Sequence, residues 1–395
     1  MTSAIRTTPP PVSDGGEALI AWLRRMRSEA PVCKDKKTGI WQVFRRADVL
    51  RVMSDTESFS SDILQIVPES KEFARGNIML TDPPDHRKLR KIVSTAFTPK
   101  VVRDLEPRIR EIAASLLLNV SGARQFDFVQ NFTYPLPMMV IAELLGIPKS
   151  DWAGMRGMSE AQVAVAVDGP IDEEFLRSVE RIGRDFNGYL ADLCKSRRKR
   201  PQDDLMSRLA QAEVDGEILT DEEIVNFAGL LFLAGHLTTT VMLGNTLLCF
   251  KEYPEALHEL RSNPALLRPV IDEVMRYRSP FTQVGRVTKC DVELSDVIVP
   301  KGQMILAWTL SANRDEAEVQ AADQFDIHRD QNPHIAFGRG IHYCLGAPLA
   351  YLEAEIAIPM ILEEFSEIQV GGTEEMEFYE LGIFGPKSLP IQVKR

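Results

Sequence analysis

The stretch that most restricts the fold is residues 224–250, a run of 27 residues without Asp, Glu, Lys or Arg. As a helix it would be about 40 Å long, at ~1.5 Å per residue. Thr220 and Glu223 just before it have the spacing of a capping box, which predicts a helix start. A helix that is apolar on all sides is either the buried axis of a large domain or a membrane span. Polar residues such as His236 and Asn245 interrupt the run, so we favour the buried axis.

The composition is that of a soluble globular protein. Of the 395 residues, 26% are charged and 44% are hydrophobic. The net charge of −11 argues against general nucleic-acid binding. Five cysteines lie far apart, as in proteins of a reducing cytosol. Residues 1–16 contain three consecutive prolines and no apolar run, so we interpret them as a flexible N-terminal tail and not as a signal peptide.

Hydrophobic periodicity predicts a mainly helical chain. Helices are expected at 17–29, 47–54, 105–118, 137–145, 173–196, 205–212, 264–277 and 348–365. Alternating apolar residues predict short strands at 41–44 and within 292–310. Thr98-Pro99 is interpreted as a turn, and the basic run 195–200 as a solvated helix end.

A second feature is the segment 337–346, Phe-Gly-Arg-Gly-Ile-His-Tyr-Cys-Leu-Gly. Its glycines allow the backbone to approach a flat ligand closely. The apolar helix predicted after it would favour a thiolate at Cys344, because a helix N-terminus carries a partial positive charge. A thiolate is an axial ligand for haem iron. The competing interpretation is that Cys344 is a small buried hydrophobic residue.

All fixed positions of this segment match Phe-Gly-x-Gly-x-His-x-Cys-x-Gly, and the chain therefore resembles the cytochrome P450 family from about Trp22 to Val393. The resemblance implies a mainly α fold with a smaller β-rich portion, forming one domain over residues 17–395. It also implies heme b, iron protoporphyrin IX, with Cys344 as the iron ligand. The other implied cofactor-binding residues are His86, Arg90, Arg286, Phe337, Gly338, Arg339, His342 and Gly346.

Two further motifs support the resemblance. His86 and Arg90 follow Asp82-Pro-Pro-Asp85 with the spacing of the P450 helix that holds a propionate; read alone, this helix is a solvated basic face. Glu273 and Arg276 resemble the Glu-x-x-Arg motif, which implies a buried structural pair. The alternative is an ordinary surface ion pair, which contributes little.

Within the apolar run, residues 234–239 (Ala-Gly-His-Leu-Thr-Thr) resemble the P450 oxygen-binding groove. The resemblance implies a catalytic site in which Thr238 helps to deliver protons. Without it, a threonine in mid-helix would be expected to bond back to its own backbone. The family usually has Asp or Glu where this chain has Leu237, so the usual carboxylate is missing, and His236 should point about 100° away on the helix. The implied catalytic residues are Ala234, Gly235, Thr238 and Thr239.

The resemblance also implies a substrate pocket. Its walls would come from the irregular stretch 59–79, from 280–284 and from a turn near 383. Residues 164–171 resemble the loop that closes over P450 substrates. The implied wall residues are Ile63, Leu64, Ile66, Val67, Ile78, Leu231, Phe281, Val284, Ile383 and Phe384.

The function implied is a cytoplasmic haem-thiolate monooxygenase. It would insert one oxygen atom from O2 into an apolar organic substrate, such as a polyketide in secondary metabolite biosynthesis. The implied partners are a separate ferredoxin and ferredoxin reductase, with no nucleic acid and no membrane, and the protein would be a monomer. A ferredoxin is expected to dock on the basic helix containing Arg87 and Lys88. Two alternatives remain: an atypical P450 that uses peroxide or performs oxidative coupling, because of Leu237, and a haem sensor or carrier without turnover.

Overall fold

The computed structural model describes residues 6–66, 75–158, 173–380 and 382–395. These residues form two compact units. The first unit comprises residues 1–69, 244–344 and 370–389, and the second comprises 70–243, 345–369 and 390–395. The predicted single domain over 17–395 stays a prediction. Val67 and the predicted loop 164–171 lie outside the described residues.

The first unit is built on a five-stranded sheet. Its strand order is β1-β2-β10-β7-β3, in which β2 and β10 are parallel and the other pairs are antiparallel. Two further antiparallel pairs, β8-β9 and β12-β13, also belong to the described part of this unit. The strands are β1 (Val32–Lys34), β2 (Trp41–Val43), β3 (Phe59–Ser60), β7 (Val284–Thr288), β8 (Val292–Leu294), β9 (Val297–Val299), β10 (Met304–Ala307), β12 (Glu377–Phe378) and β13 (Pro386–Ser388).

Helices flank this sheet. They are α1 (Glu17–Glu29), α2 (Arg46–Ser54), α10 (Pro254–Ser262), α11 (Leu267–Tyr277) and α12 (Thr309–Ala312). Trp22 on α1 is edge-on to Phe44 and Trp308, with ring centroids 5.2 and 5.3 Å apart. Phe384 belongs to the same buried aromatic cluster.

The segment expected to be a flexible tail makes contacts within the first unit. Thr7 and Thr8 donate hydrogen bonds to the carboxylate of Asp35 at 3.1 and 2.8 Å. Val12 is buried in the aromatic cluster. These contacts attach the segment at three points.

The second unit is mostly helical. Its helices are α3 (Asp85–Ala96), α4 (Pro99–Asp104), α5 (Glu106–Asn119), α6 (Pro135–Leu145), α7 (Glu173–Lys199), α8 (Leu205–Gln211) and α13 (Ala347–Glu364). Its strands are β4 (Gln125–Asp127), β5 (Glu213–Val214), β6 (Glu217–Ile218), β11 (Glu367–Val370, whose last residue belongs to the first unit) and β14 (Pro390–Lys394). Helix α5 buries Ile109, Ile112, Ala113 and Leu116 at helical spacing and packs on α6 and α13.

Helix α9 (Asp221–Glu252) contains the apolar run. Its residues 221–243 belong to the second unit and 244–252 to the first. Among the described residues, this helix alone is long and apolar enough to cross a membrane. However, 67% of its most apolar 18-residue segment is buried inside the protein. Thr220 and Glu223 form the expected capping box: the Glu223 amide donates to Thr220 Oγ1, and the Thr220 amide donates to the Glu223 carboxylate. The buried-axis interpretation accounts for the run.

Most predicted helices are confirmed, with differences of a few residues at their ends. Thr98 does not form a simple turn: it caps α4, and Pro99 is the first residue of that helix. The basic run 195–200 is not fully solvated, since Arg197 is buried and pairs with Asp204. Helix α10 and a π-helical turn at Val129–Thr133 were not predicted.

Candidate active site

The cysteine loop of the first unit is tightly folded. The Cys344 amide donates to the Phe337 carbonyl at 2.8 Å, which closes the loop around the glycines. Gly338 and Gly340 have φ of 77° and 69°, values that favour glycine. A Cβ at Gly338 would lie 3.3 Å from the His342 carbonyl oxygen. The loop therefore fixes the backbone of Cys344, whose side chain is half-buried.

Three of the residues implied as propionate ligands lie in the first unit: Arg286, Arg339 and His342. Arg286 is buried on β7 and donates to the Gly285 carbonyl at 2.7 Å. Arg339 is exposed, and it contributes with burial to lowering the pKa of the Arg46 guanidinium, burial being the larger cause. His342 Nε2 lies 2.7 Å from the hydroxyl of Ser61. These groups suit anionic carboxylates such as those of a porphyrin.

Glu273 and Arg276 on α11 form a two-pronged ion pair. Arg276 Nε and Nη2 each donate to a Glu273 oxygen at 2.7 Å, and both side chains are at most 1% exposed. Arg276 also donates to the backbone carbonyls of Asn313, Ala322 and Gln324. The pair is therefore a buried structural ion pair that joins several chain segments, and the interpretation as a surface ion pair is wrong.

Sequence reasoning missed the other partners of Glu273. Its carboxylate also accepts from the Arg329 guanidinium at 3.1 Å, from the Asp326 amide at 2.7 Å and from Asn332 at 3.0 Å. These residues lie more than 50 positions further along the chain. Local spacing rules could not find these partners, because such rules connect residues within one or two helical turns.

In the second unit, α3 carries His86 and Arg90 one turn apart. His86 is buried, and burial lowers the pKa of its imidazole, with the Arg90 charge as a further cause. The neighbouring basic face is partly neutralised, because Lys88 pairs with Glu217 and Lys91 with Asp215, each at 2.6 Å. Arg87 remains exposed.

The middle of α9 has one less-buried stripe. Within 226–238 its partly exposed residues recur at helical spacing and include Ala234 and Thr238, whereas Leu237 is 7% exposed. Thr238 Oγ1 donates to the Ala234 carbonyl at 2.8 Å, and Thr239 Oγ1 donates to the Gly235 carbonyl at 3.2 Å. The contact expected of an ordinary mid-helix threonine is thus the one present.

Gly235 and His236 serve the packing of the second unit. A Cβ at Gly235 would lie 2.7 Å from Ile141 Cδ1, closer than real contacts allow. His236 is fully buried; its Nδ1 lies 2.7 Å from the Phe232 carbonyl, and its ring is edge-on to Tyr134. Burial lowers the pKa of His236 to about 4, so the ring is neutral at pH 7 and does not replace the missing carboxylate.

The implied substrate-wall residues differ in exposure. In the first unit, Ile66 and Phe281 are exposed, and Phe281 forms an isolated bridge with Ile383. Phe384 packs in the buried aromatic cluster with Trp22, and this packing argues against its predicted contact with substrate. The other described members are half-buried (Ile63, Leu64, Val284) or buried (Ile383, and in the second unit Ile78 and Leu231).

Comparisons with known proteins decide the family. A family model described as cytochrome P450 matches residues 165–395. The erythromycin C-12 hydroxylase of Saccharopolyspora erythraea is 41% identical over 377 residues, which cover 95% of this chain and 94% of that protein. The chain belongs to the cytochrome P450 family. The cyclomarin C epoxidase of Salinispora arenicola is 40% identical and covers 98% of each chain.

Solved structures agree with this P450 fold. The ligand-free P450 TbtJ1 superposes with a TM-score of 0.91 at 44% identity, covering 98% of this chain and all of that one. The open form of the P450 EryK from S. erythraea gives 0.92 at 40% identity and 98% coverage of each. The mainly α fold with a smaller β portion is confirmed, and the protein is a P450 monooxygenase, an oxidoreductase.

The family's cofactor is a haem, a planar iron porphyrin with two propionates. The residues present fit such a group, judged within each unit separately. The first unit offers a half-buried thiol, held by a glycine loop, with Arg286 and His342 as cationic or donor groups. The second offers His86, Arg90 and the less-buried stripe of α9, which includes Ala234, Gly235 and Thr238.

Proposed function

We propose that this P450 is a haem-thiolate monooxygenase of secondary metabolism that uses heme b. The reaction takes O2, two electrons and two protons, places one oxygen atom in an apolar organic substrate and releases the other as water. The haem supplies the oxygen chemistry when bound. The observation that carries the proposal is the half-buried Cys344 thiol, held in a closed glycine loop three residues before α13.

The chain's own residues divide the remaining tasks. We assign to Arg286, Arg339 and His342 of the first unit, and to His86 and Arg90 of the second, the binding of the propionate carboxylates. Charge-assisted hydrogen bonds suit that task. Phe337, Gly338 and Gly346 shape the loop. Glu273 and Arg276 hold the chain segments of the first unit together.

Thr238, with Ala234, Gly235 and Thr239, is assigned to proton handling and to the space for oxygen. Its hydroxyl donates to Ala234, and a hydroxyl can also accept a hydrogen bond from water or substrate. Leu237 contributes no proton. This gap is the specific observation that favours the second candidate, an atypical P450 that uses peroxide or performs oxidative coupling.

The substrate class follows from similarity alone. The two relatives above are named for the hydroxylation of erythromycin at C-12 and the epoxidation of cyclomarin C. We propose a comparable apolar metabolite, such as a polyketide, bound by the partly exposed residues Ile63, Leu64, Ile66, Phe281 and Val284. The enzyme would work in the cytoplasm as a monomer.

Electrons come from a separate ferredoxin and its reductase, as is typical of bacterial P450s. Lys88 and Lys91 are exposed, but they pair with acidic residues of the β5–β6 hairpin. We therefore assign the docking charge of α3 to Arg87, which is also exposed. Charge reversal at Arg87 should therefore slow ferredoxin-driven reduction at low salt, and Lys91→Glu should slow it less.

The test of the ligand is spectroscopic. The reduced carbonyl complex of the wild type should absorb near 450 nm, and Cys344→Ala should lose that band. Cys290→Ala is the matched control, since Cys290 is an exposed free thiol and should leave the band intact. A Cys344→Ala protein that bound haem and kept the band would disprove the assignment. Product analysis with ferredoxin and reductase, compared with peroxide, separates the two candidate functions.

A further inference from the structure

Ser61 contacts the cysteine loop although 281 positions separate it from His342 in the sequence. Its hydroxyl oxygen lies 2.7 Å from His342 Nε2, and the residue is 2% exposed. We infer that Ser61 is a positioning residue that orients His342 for a haem propionate. The inference rests on the proposed function, in which His342 binds that propionate.

The backbone around Ser61 is fixed on both sides. Ser60 pairs with Val287 in the antiparallel β3–β7 ladder, and the carbonyl of Ser61 accepts from the Ile63 amide at 2.9 Å. Ser61 and Arg286 are the residues that directly follow and precede the last pair of this ladder on their two chain segments. The backbone of Ser61 is therefore held in place next to His342.

The Ser61 hydroxyl can donate to His342 Nε2 or accept from it, and the propionate role requires that Ser61 is the donor. When Ser61 donates its proton to Nε2, the imidazole carries its own proton on Nδ1. A carboxylate accepts hydrogen bonds and needs such an N–H donor. As the donor, Ser61 therefore holds the ring angle and stabilises the tautomer that binds a propionate.

The competing explanation is that the bond only joins two loops of the first unit. In that case the loss of the hydroxyl would weaken the fold without acting through His342. The two explanations differ in a double-variant experiment, because a positioning residue has no effect once the residue it positions is gone.

The experiment measures haem loss from the purified holoenzyme into excess apomyoglobin. It compares the wild type with Ser61→Ala, His342→Ala, the double variant and Ser60→Ala. Ser60 is the matched control, a buried neighbour whose hydroxyl accepts from the Asp62 amide. Ser61→Ala should speed haem transfer about two- to ten-fold, the usual range for one lost hydrogen bond. The double variant should be no faster than His342→Ala, and Ser60→Ala should match the wild type.

The experiment separates a failure of the Ser61 inference from a failure of the proposed function. If His342→Ala speeds transfer while Ser61→Ala does not, or if the two effects add in full, the inference is wrong and the proposed function stands. If His342→Ala itself transfers haem at the wild-type rate, the propionate role of His342 in the proposed function is wrong.

A second measurement covers the case in which Ser61→Ala takes up no haem. Ser61→Thr keeps a hydroxyl and should retain haem like the wild type. Long-range ¹⁵N NMR of the ferrous carbonyl form, with His342→Ala to identify the signal among six histidines, should show the His342 proton on Nδ1. A wild-type His342 protonated on Nε2 alone would overturn the inference.

Discussion

Among the residues whose burial the structure describes, Glu273 and Glu353 are both buried on helices, but their carboxyl groups have opposite surroundings. Glu273 on α11 in the first unit accepts hydrogen bonds from Arg276, Arg329, Asn332 and a backbone amide. Glu353 on α13 in the second unit is 1% exposed, and its Oε2 has no hydrogen-bond partner among the described residues. Burial alone raises the pKa of Glu353 well above its ordinary value.

The difference shows what each buried charge requires. A carboxylate removed from water is stable when arginines and amides replace its hydration, as at Glu273. Without such partners the carboxyl takes up a proton instead, as the raised pKa of Glu353 indicates. His236, also in the second unit, follows the same rule, since burial lowers its pKa to about 4 and leaves it neutral.

The largest expected effect comes from breaking the Glu273 network. Arg276→Gln removes both bonds to Glu273 and three bonds to backbone carbonyls. Removing one partner of a buried pair typically costs about 3–5 kcal/mol. We expect a loss of that size in the free energy of unfolding, measured by urea denaturation, or a loss of soluble protein.

The control for this prediction lies on the same helix. Arg268 pairs with Asp272 at 3.3 Å, and its side chain is half exposed. Arg268→Gln should cost about 1 kcal/mol or less. If the two substitutions destabilised the protein equally, the network around Glu273 would not be the junction that the geometry indicates.

A smaller and pH-dependent effect is expected at Glu353. Its pKa in the folded protein is raised above its value of 4.5 in the unfolded chain. Below pH 4.5 the carboxyl is protonated in both states, and the wild type has its full stability. As pH rises above 4.5, the unfolded chain ionises first, and this ionisation favours unfolding. The free energy of unfolding should therefore fall by up to about 1.4 kcal/mol per pH unit until the folded pKa is reached.

Glu353→Gln lacks the titrating proton and should escape this loss. Its stability relative to the wild type should rise between pH 5 and pH 8 in urea unfolding. Glu355→Gln on the same helix is the control, since it removes a half-buried carboxyl but retains Glu353, and it should keep the fall in stability that the wild type shows. A constant difference between Glu353→Gln and the wild type across this range would mean that Glu353 finds a partner for its charge.

Local patterns predicted much of this molecule. The capping box at Thr220 and the apolar run fixed the position of α9, and the i, i+3 spacing placed Glu273 and Arg276 on one face. Short-range rules suffice there because the partners are within one turn. The glycines of the cysteine loop were likewise interpretable, since positive φ is a local property.

Contacts between distant segments were not predictable. Nothing in the sequence around Ser61 indicates His342, and the basic run ending α7 gave no sign that Arg197 would pair with Asp204. Charge runs are usually solvated, so that interpretation failed where tertiary packing supplied an acid. The proton at Glu353 also depends on burial, which a sequence pattern does not state.

The smallest stability effect is expected at two threonines of α9, Thr238 and Thr240, both in the second unit. Thr238 donates within its own helix, whereas Thr240 is buried and donates to the Thr133 carbonyl of the π-helical turn at 2.9 Å. Thr240→Ala removes a bond between elements and should cost about 1 kcal/mol. Thr238→Ala should cost less, because the helix keeps its backbone bonds.

In catalysis, Thr238→Ala should have the larger effect and Thr240→Ala the smaller one, the reverse of their order in stability. If the Thr238 hydroxyl handles protons, Thr238→Ala should raise the share of electrons lost as peroxide, and Thr240→Ala should leave that share unchanged. Leu237→Glu would restore the family's acid at a buried position, where burial would raise the pKa of the new carboxyl unless it is hydrated. We expect it to improve coupling and to lower stability, as we predict for the buried carboxyl of Glu353 above pH 5. Equal peroxide yields in the wild type and in all three variants would show that the middle of α9 does not control proton delivery.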